Sequence, residues 1–167
     1  VHDTIRFFVA KKPNALIIDF FAGSGTTLHA VNLLNAEDNG QRRCIMVTNN
    51  EVSVDEAKIL SEKGLHPGDD GWDKLGIARY VTWPRTICSI EGHDINGSPL
   101  KGNYIGSNQP MSEGFKANAV FFKLGFLDKT TVSLGRQFRE LLPVIWMKAG
   151  AIGPCPSLNT EQLPTMM

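Results

Sequence analysis

Two glycines separated by one residue, Gly23 and Gly25, stand between a short apolar run that ends in Asp19 and an amphipathic run that begins near Thr26. This order predicts a strand, a tight turn and a helix. Glycine lets the backbone approach a ligand closely, and the unpaired N–H groups at a helix start point toward whatever binds there. The turn is therefore a candidate binding site.

Spacing separates the ligand classes that use a glycine turn before a helix. A phosphate-binding P-loop ends in Gly-Lys-Ser/Thr, but no lysine occurs between Asp19 and Thr48, so this class is excluded. A dinucleotide fingerprint has a third small residue where this sequence has Leu28. A small residue is needed at that position because the helix packs closely on its strand there. That class is disfavoured and stays open as an alternative.

A third class shares a longer motif with this chain. The nine residues Asp-Phe-Phe-Ala-Gly-Ser-Gly-Thr-Thr resemble the S-adenosylmethionine-binding motif Asp-x-Phe-x-Gly-x-Gly-Thr-Thr of the DNA methyltransferases that modify adenine N6 or cytosine N4. The double phenylalanine is most similar to methylation subunits of type III restriction-modification systems. A turn serving only chain reversal would not need the acid, the phenylalanine and both threonines together. The resemblance implies a cofactor site made of Asp19, Phe20, Phe21, Ala22, Gly23, Ser24, Gly25, Thr26 and Thr27.

The second half of the predicted cofactor site follows the next strand. Residues 44–47 are apolar and predict a strand parallel to the first, joined to it by a right-handed crossover helix. Ligands bind at the carboxyl ends of such strands, and an acid there commonly takes ribose hydroxyls. Glu51 is the first choice for this role and Asn50 the second. The alternative is that Glu51 merely belongs to the following turn.

The resemblance implies an α/β fold, part of the Rossmann-like fold of S-adenosylmethionine-dependent methyltransferases, with a β-hairpin insertion. We expect residues 1–149 to form the cofactor-binding part, residues 93–113 to form the insertion, and residues 150–167 to form a loose tail. The Asn96-Gly97 pair predicts a type I′ hairpin turn. Residues 119–124 predict a third strand, after which Asp128 either contacts an adenine edge or closes a turn.

Helix signals occur at several further places in the sequence. Ser53 and Glu56 form a capping box, and Pro84 suits the first turn of a helix. Pro143 is expected to bend or break the last helix. The predicted helices, besides the one after the glycine turn, are residues 4–10, 53–63, 72–81, 84–90 and 136–142.

Composition sets broader limits. The 167 residues are 42% hydrophobic and carry 17 basic and 17 acidic side chains, so net charge argues neither for nor against nucleic acid as a partner. Acids predominate in residues 51–73 and bases in residues 116–148. Three cysteines far apart from one another indicate a reduced, cytoplasmic protein without a structural metal. No run approaches the ~20 apolar residues of a membrane span.

The base-binding tetrapeptide of the resembled family, Asp/Asn/Ser-Pro-Pro-aromatic, does not occur, and the nearest string is residues 108–111, Asn-Gln-Pro-Met. In the permuted class of these enzymes the tetrapeptide precedes the glycine motif. We therefore expect the C-terminal, cofactor-binding part of an adenine-specific DNA methyltransferase, without catalytic residues and inactive alone. DNA is the implied partner of the full-length protein, with a restriction subunit or a second copy as further partners. The alternatives are a small-molecule or dinucleotide-binding domain without DNA activity and a purely structural module.

Overall fold

A computed structural model describes residues 1–135, 137–151 and 155–157. It divides into two compact units, residues 1–121 and residues 122–167. The first unit contains α1 (His2–Val9), β1 (Leu16–Asp19), α2 (Thr26–Asp38), β2 (Arg43–Met46), α3 (Val54–Glu62), α4 (Asp70–Asp73), a π-helical segment (Ala78–Thr82), α5 (Trp83–Glu91) and a short 3₁₀ turn (Met111–Glu113). The second unit contains α6 (Lys129–Ser133) and α7 (Phe138–Lys148).

The predicted β-α-β unit is present. Strands β1 and β2 are parallel, with Leu16 opposite Arg43 and Asp19 opposite Met46, and α2 forms the connection between them. Helix α2 packs on β2 and on α1, and it buries Ala30, Val31 and Leu34. The fold of the described residues is therefore mixed α/β with a two-stranded parallel sheet.

One face of this small sheet is uncovered. Leu16 and Ile18 of β1 are 48% and 50% exposed, and Ile45 and the following Val47 are 48% and 47% exposed. Residues that alternate with them, such as Ile17 and Cys44, are half-buried. Because side chains of a strand point alternately to the two faces, the described residues cover one face and leave an apolar face open.

A clamp of polar groups around the buried side chain of Arg42 holds the N-terminal elements together. The guanidinium of Arg42, which is only 4% exposed, donates two hydrogen bonds to the carboxylate of Asp38 at 2.7 and 2.8 Å. It also donates to the carbonyl of Val9 at the end of α1. Asn35 accepts from the Arg42 amide and donates to its carbonyl. The clamp thus ties α1, α2 and the start of β2 to one side chain.

The helices after β2 agree only in part with the sequence prediction. Ser53 caps α3 as expected: the Glu56 amide donates to its hydroxyl, which in turn donates to the Glu56 carboxylate. The single helix predicted over residues 72–81 is wrong. Residues 70–73 form the short α4, and a wider π-helical turn over residues 78–82 runs directly into α5. Helix α5 spans the predicted residues 84–90 and has Pro84 in its first turn.

The hairpin near Asn96 forms with a different turn. Asp94 and Ser98 are joined by a backbone hydrogen bond, and His93 bridges Pro99 in antiparallel fashion. Of the non-glycine residues described, Asn39 alone has a positive φ, so the type I′ turn is wrong. The three-residue loop places Gly97 at φ +80°, as in a type I turn followed by a glycine bulge. The Asp94 carboxylate accepts two amides of the loop and stabilises it.

Two further predictions about local structure are wrong. Residues 119–124 form no strand, and the sheet within the described residues contains β1 and β2 alone. A strand needs a partner for its backbone groups, which the apolar pattern does not supply. Helix α7 continues through Pro143 to Lys148 instead of ending there. Arg136, the predicted start of this helix, lies outside the described residues.

Asp128 caps α6 by accepting the Thr131 amide at 2.9 Å, which is the structural role weighed for it. Most of the predicted tail, residues 152–154 and 158–167, falls outside the described part. None of the helices in the described ranges is long and apolar enough to cross a membrane.

Candidate functional site

The site begins with Asp19 at the carboxyl end of β1. Its carboxylate accepts a hydrogen bond from the Phe21 amide at 3.0 Å and another from the hydroxyl of Thr27. Thr27 belongs to the first turn of α2. Asp19 therefore connects the strand, the turn and the helix, and the acid and the second threonine of the motif act together.

The two glycines of the turn have different surroundings. Gly25 is buried at φ +81°, and a Cβ there would lie 3.0 Å from the Thr82 methyl group and 3.6 Å from the end of Met46. Gly23, at φ +49°, has nothing nearer to such an atom than the Phe21 carbonyl at 3.8 Å. Gly25 is thus needed for close packing within the protein, whereas Gly23 leaves space beside the backbone.

The turn presents hydrogen-bond donors that the described residues do not use. The Ala22 amide donates to the Val47 carbonyl, and the Gly25 amide donates to the Ala22 carbonyl. In contrast, the amides of Gly23, Ser24 and Thr26 make no hydrogen bond with any described residue. Such a set of N–H groups at a helix start favours a ligand with an anionic group.

Both phenylalanines of the motif project from the turn. Phe20 is 65% exposed and Phe21 is 92% exposed. Apolar rings of this size are rarely left so open in a folded protein. They are accessible to a ligand or to another part of a longer protein, and the described residues do not cover them.

The continuous helix formed by residues 78–91 lies against the turn. The hydroxyl of Thr82, in its π-helical part, lies within hydrogen-bond distance of the carbonyls of Gly23 and Ile77 and has one hydrogen to donate to them. One turn later, Arg85 donates to the Ser24 hydroxyl at 3.2 Å and to the Thr26 hydroxyl at 3.3 Å. Two residues nearly 60 positions away in the sequence therefore support the glycine turn. Sequence reasoning missed both, because no spacing rule connects them to the motif.

The residues after β2 take different roles. The side-chain amide of Asn50 donates through Nδ2 to the Asp73 carbonyl at 2.7 Å, and its Oδ1 accepts from the backbone amide of Arg79. Its side chain is therefore occupied in joining the loop to the segment before α5. Glu51 is exposed, and its carboxylate accepts only from Asn49 among the described residues. Of the two residues predicted to take ribose hydroxyls, Glu51 has the greater free acceptor capacity.

An aromatic cluster borders the first turn of α2. The ring of His29 lies 5.4 Å from that of Tyr104 and 5.3 Å from that of Phe115, and Tyr104 stacks on Phe115 at 4.6 Å. Burial is the main cause that lowers the pKa of His29, and the charge of Arg85 is the second. His29 is accordingly neutral near pH 7. The sequence pattern had not indicated this cluster.

Several other chemistries find no support here. Burial, and after it the charge of Asp19, raises the pKa of the Cys44 thiol to about 11, so it is not a thiolate nucleophile. The described residues contain no group of three or more metal-binding side chains. Residues 108–111, the string nearest to the base-binding tetrapeptide, close a loop. The backbone amide of Tyr104 donates to the Gln109 carbonyl, and Asn103 and Pro110 form an antiparallel β-bridge.

Comparisons with curated proteins agree with the motif. The chain is 59% identical to the type II methyltransferase M.KpnI of Klebsiella pneumoniae over 59 residues, which are 35% of this chain and 14% of that protein. It is 60% identical to the Mod subunit of the type III restriction-modification enzyme StyLTI of Salmonella typhimurium over 72% of this chain and 20% of that protein. The resemblance to restriction-modification methyltransferases is confirmed.

A third relative, the Mod subunit of the type III restriction-modification enzyme EcoPI of Escherichia phage P1, is 48% identical over 26% of this chain and 7% of its own length. The chain thus spans a fifth or less of the curated methyltransferase relatives that it matches. No family model matches the chain.

Proposed function

We propose that this chain is the S-adenosylmethionine-binding part of a DNA methyltransferase of a restriction-modification system, with adenine N6 as the methylated position. The observation that carries the proposal is the turn from Asp19 to Thr27, which stands at the carboxyl end of a parallel strand and has three amides, those of Gly23, Ser24 and Thr26, that no described residue uses. The parallel β-α-β unit and the three similar methyltransferases support a partial Rossmann-like fold around it.

The donor set of the turn fits such a cofactor. The free amides of Gly23, Ser24 and Thr26 suit the carboxylate of an amino acid, and the open side of Gly23 allows close approach. Glu51 supplies acceptor oxygens for ribose hydroxyls at the end of the neighbouring strand. Phe20 and Phe21 offer exposed rings beside the same turn. The proposed cofactor residues are thus those of the motif together with Glu51, and Asn50 fixes the loop.

The chemistry assigned to these residues is binding and orientation. When bound, the cofactor supplies a sulfonium methyl group that the exocyclic amine of a base attacks directly. The turn would hold the amino-acid end, and Asp19 would keep the turn in shape through its bonds to Phe21 and Thr27. Because the enzyme mainly has to align two reactants, no acid or base from this chain is assigned to the reaction.

The uncovered sheet face supports the proposal that this is one part of a larger domain. Three apolar side chains of the two strands and the following Val47 are about half exposed, and a parallel sheet is normally covered on both faces. We propose that residues 1–149 belong to the methyltransferase domain and that the base-binding tetrapeptide and target recognition are supplied elsewhere. DNA, with a restriction subunit or a second copy of the protein, would then be partners of the complete protein.

Calorimetric titration of residues 1–167 tests the cofactor assignment. We expect S-adenosylhomocysteine to bind, and Gly23→Val to abolish binding because the new side chain fills the space beside the turn and cannot easily adopt φ +49°. Gly125→Val is the matched control, since nothing lies within 4 Å of its Cβ. Binding of NAD instead would favour the dinucleotide alternative, and binding of neither would favour a structural module.

A second measurement tests the assignment of catalysis to another part of the protein. Incubation of the purified chain with methyl-labelled S-adenosylmethionine and mixed-sequence duplex DNA should leave the DNA unlabelled. Labelled DNA would contradict the proposed inactivity of these residues alone. Identification of the methylated atom in DNA modified by the full-length protein would test the choice of adenine N6.

A further inference from the structure

Arg85 is held against the glycine turn by several contacts. Its Nη1 atom lies within hydrogen-bond distance of the Ser24 carbonyl, the Ser24 hydroxyl and the Thr26 hydroxyl, at 3.2 to 3.3 Å. These contacts join residues 59 to 61 positions apart. An exposed arginine in solvent would not need them, so the side chain has a defined position at the edge of the turn.

The charge of Arg85 is not neutralised by a neighbour. Among the described residues no carboxylate pairs with it, and its Nε and Nη2 atoms make no hydrogen bond. A guanidinium has five N–H donors in a planar fork. Nη1 is used to hold the turn, and the remaining donors make no hydrogen bond with the part of the chain that the structure describes.

The field of Arg85 extends into the start of α2. After burial, it is the second cause that lowers the pKa of His29. The free amides of Ser24 and Thr26 lie in the two residues that Arg85 contacts. A cation thus contacts the same two residues whose N–H groups no described residue uses, and this combination favours a carboxylate more strongly than the helix start alone.

We propose that Arg85 binds the carboxylate of the amino-acid end of S-adenosylmethionine, with the Nε–Nη2 side of its guanidinium. This inference rests on the proposed function. Arg85 and the amides of Ser24 and Thr26 then recognise the same anionic group from two sides, and Ser24 and Thr26 keep the guanidinium in position. The assignment makes Arg85 a specificity residue for ligands that carry an amino-acid carboxylate.

Two ligands that differ only in the carboxylate test the proposal: S-adenosylmethionine and decarboxylated S-adenosylmethionine. In calorimetric titrations of residues 1–167, we expect Arg85→Gln to weaken binding of S-adenosylmethionine about tenfold. Binding of the decarboxylated form should stay within about twofold, because the contact is absent there in the unmodified chain as well. Arg43→Gln is the matched control: its side chain is exposed at the opposite end of the strands, and both affinities should be unchanged.

The outcomes separate this inference from the proposed function. If the unmodified chain binds neither ligand, the proposed function fails and the role of Arg85 fails with it. If it binds S-adenosylmethionine and Arg85→Gln weakens both ligands equally, the proposed function stands and Arg85 merely supports the turn. Arg85→Lys keeps the charge and loses the fork, so an intermediate loss for S-adenosylmethionine alone is expected. Thermal unfolding of each variant shows whether it is folded at the titration temperature.

Discussion

The two ends of α2 carry polar groups that are used in opposite ways. At the C-terminal end, Arg42, Asp38 and Asn35 satisfy one another and the carbonyl at the end of α1. At the N-terminal end, amides of the glycine turn and most of the Arg85 fork have no partner among the described residues. The clamp end holds the fold together, and the turn end keeps its donors available for a ligand. The following predictions test this division, beginning with the largest expected effect.

Removal of the clamp arginine should reduce stability strongly. Arg42→Ala deletes bonds from a buried guanidinium and leaves Asp38 without its partner. We expect the free energy of unfolding to fall by about 2 to 3 kcal/mol, at or below the loss for a fully buried ion pair, because the Asp38 side chain is 38% exposed. Urea unfolding followed by circular dichroism measures it. The neighbouring, exposed Arg43→Ala should change stability by less than about 0.5 kcal/mol; equal losses from the two variants would contradict the clamp.

Gly25→Ala should be the most costly change within the turn. The substitution imposes a positive φ on alanine and brings its Cβ to 3.0 Å from the Thr82 methyl group. A loss of about 2 kcal/mol is expected from the two effects. Adding Thr82→Ser, which removes the methyl and keeps the hydroxyl, should recover part of this loss. Absence of any recovery in this double-mutant cycle would show that steric contact with Thr82 is not the cause.

Acid should weaken the two ends at different pH values. His29 has its pKa lowered in the folded protein, so its contribution is complete above about pH 6.5 and declines as the pH falls below that value. Hydrogen bonds from Arg42 lower the pKa of Asp38, so the clamp loses stability only below about pH 4. The free energy of unfolding is measured against pH for the unmodified chain and for His29→Phe. The difference between the two should fall as the pH drops below about 6.5. The corresponding difference between the unmodified chain and Asp38→Asn should stay constant down to about pH 4 and fall below that value.

The smallest effect is expected from Ser24→Ala. Its hydroxyl contacts the exposed Arg85 and Thr26, and exposed contacts of this kind contribute less than about 0.5 kcal/mol. The corresponding change at the clamp, Asn35→Ala, removes two hydrogen bonds to the Arg42 backbone and should cost about 1 to 2 kcal/mol. Similar losses from both variants, in the same unfolding experiment, would remove the distinction between the two ends.

The local parts of this architecture were predictable because their signals lie within a few residues. The apolar run, acid, glycines and threonines predicted strand, turn and helix in the order observed. Ser53 and Glu56 predicted the start of α3 for the same reason. The hydrogen bond between Asp19 and Thr27 was not predicted, because the sequence showed the acid and the threonines only as parts of the cofactor motif.

The parts that depend on distant residues were not predictable. Nothing in the sequence connects Thr82 or Arg85 with a turn about 60 residues earlier, and the π-helical turn that presents them has no simple sequence signal. The apolar residues 119–124 resembled a strand, but the described chain offers no partner for them. Asn96-Gly97 indicated a two-residue turn, whereas the Asp94 carboxylate stabilises a three-residue loop instead.

The wide helical turn at residues 78–82 has a consequence for how this chain tolerates changes in length. A π-helical turn accommodates one more residue than an α-helical turn, and each residue of a helix rotates its successors by roughly 100°. Deleting one of residues 78–81 would keep the spacing between Thr82 and Arg85 but rotate both together relative to the segment before them, so that their contacts with the glycine turn are expected to be lost. Side-chain substitutions at residues 78–81 should therefore be tolerated better than the in-frame deletion of a single codon there.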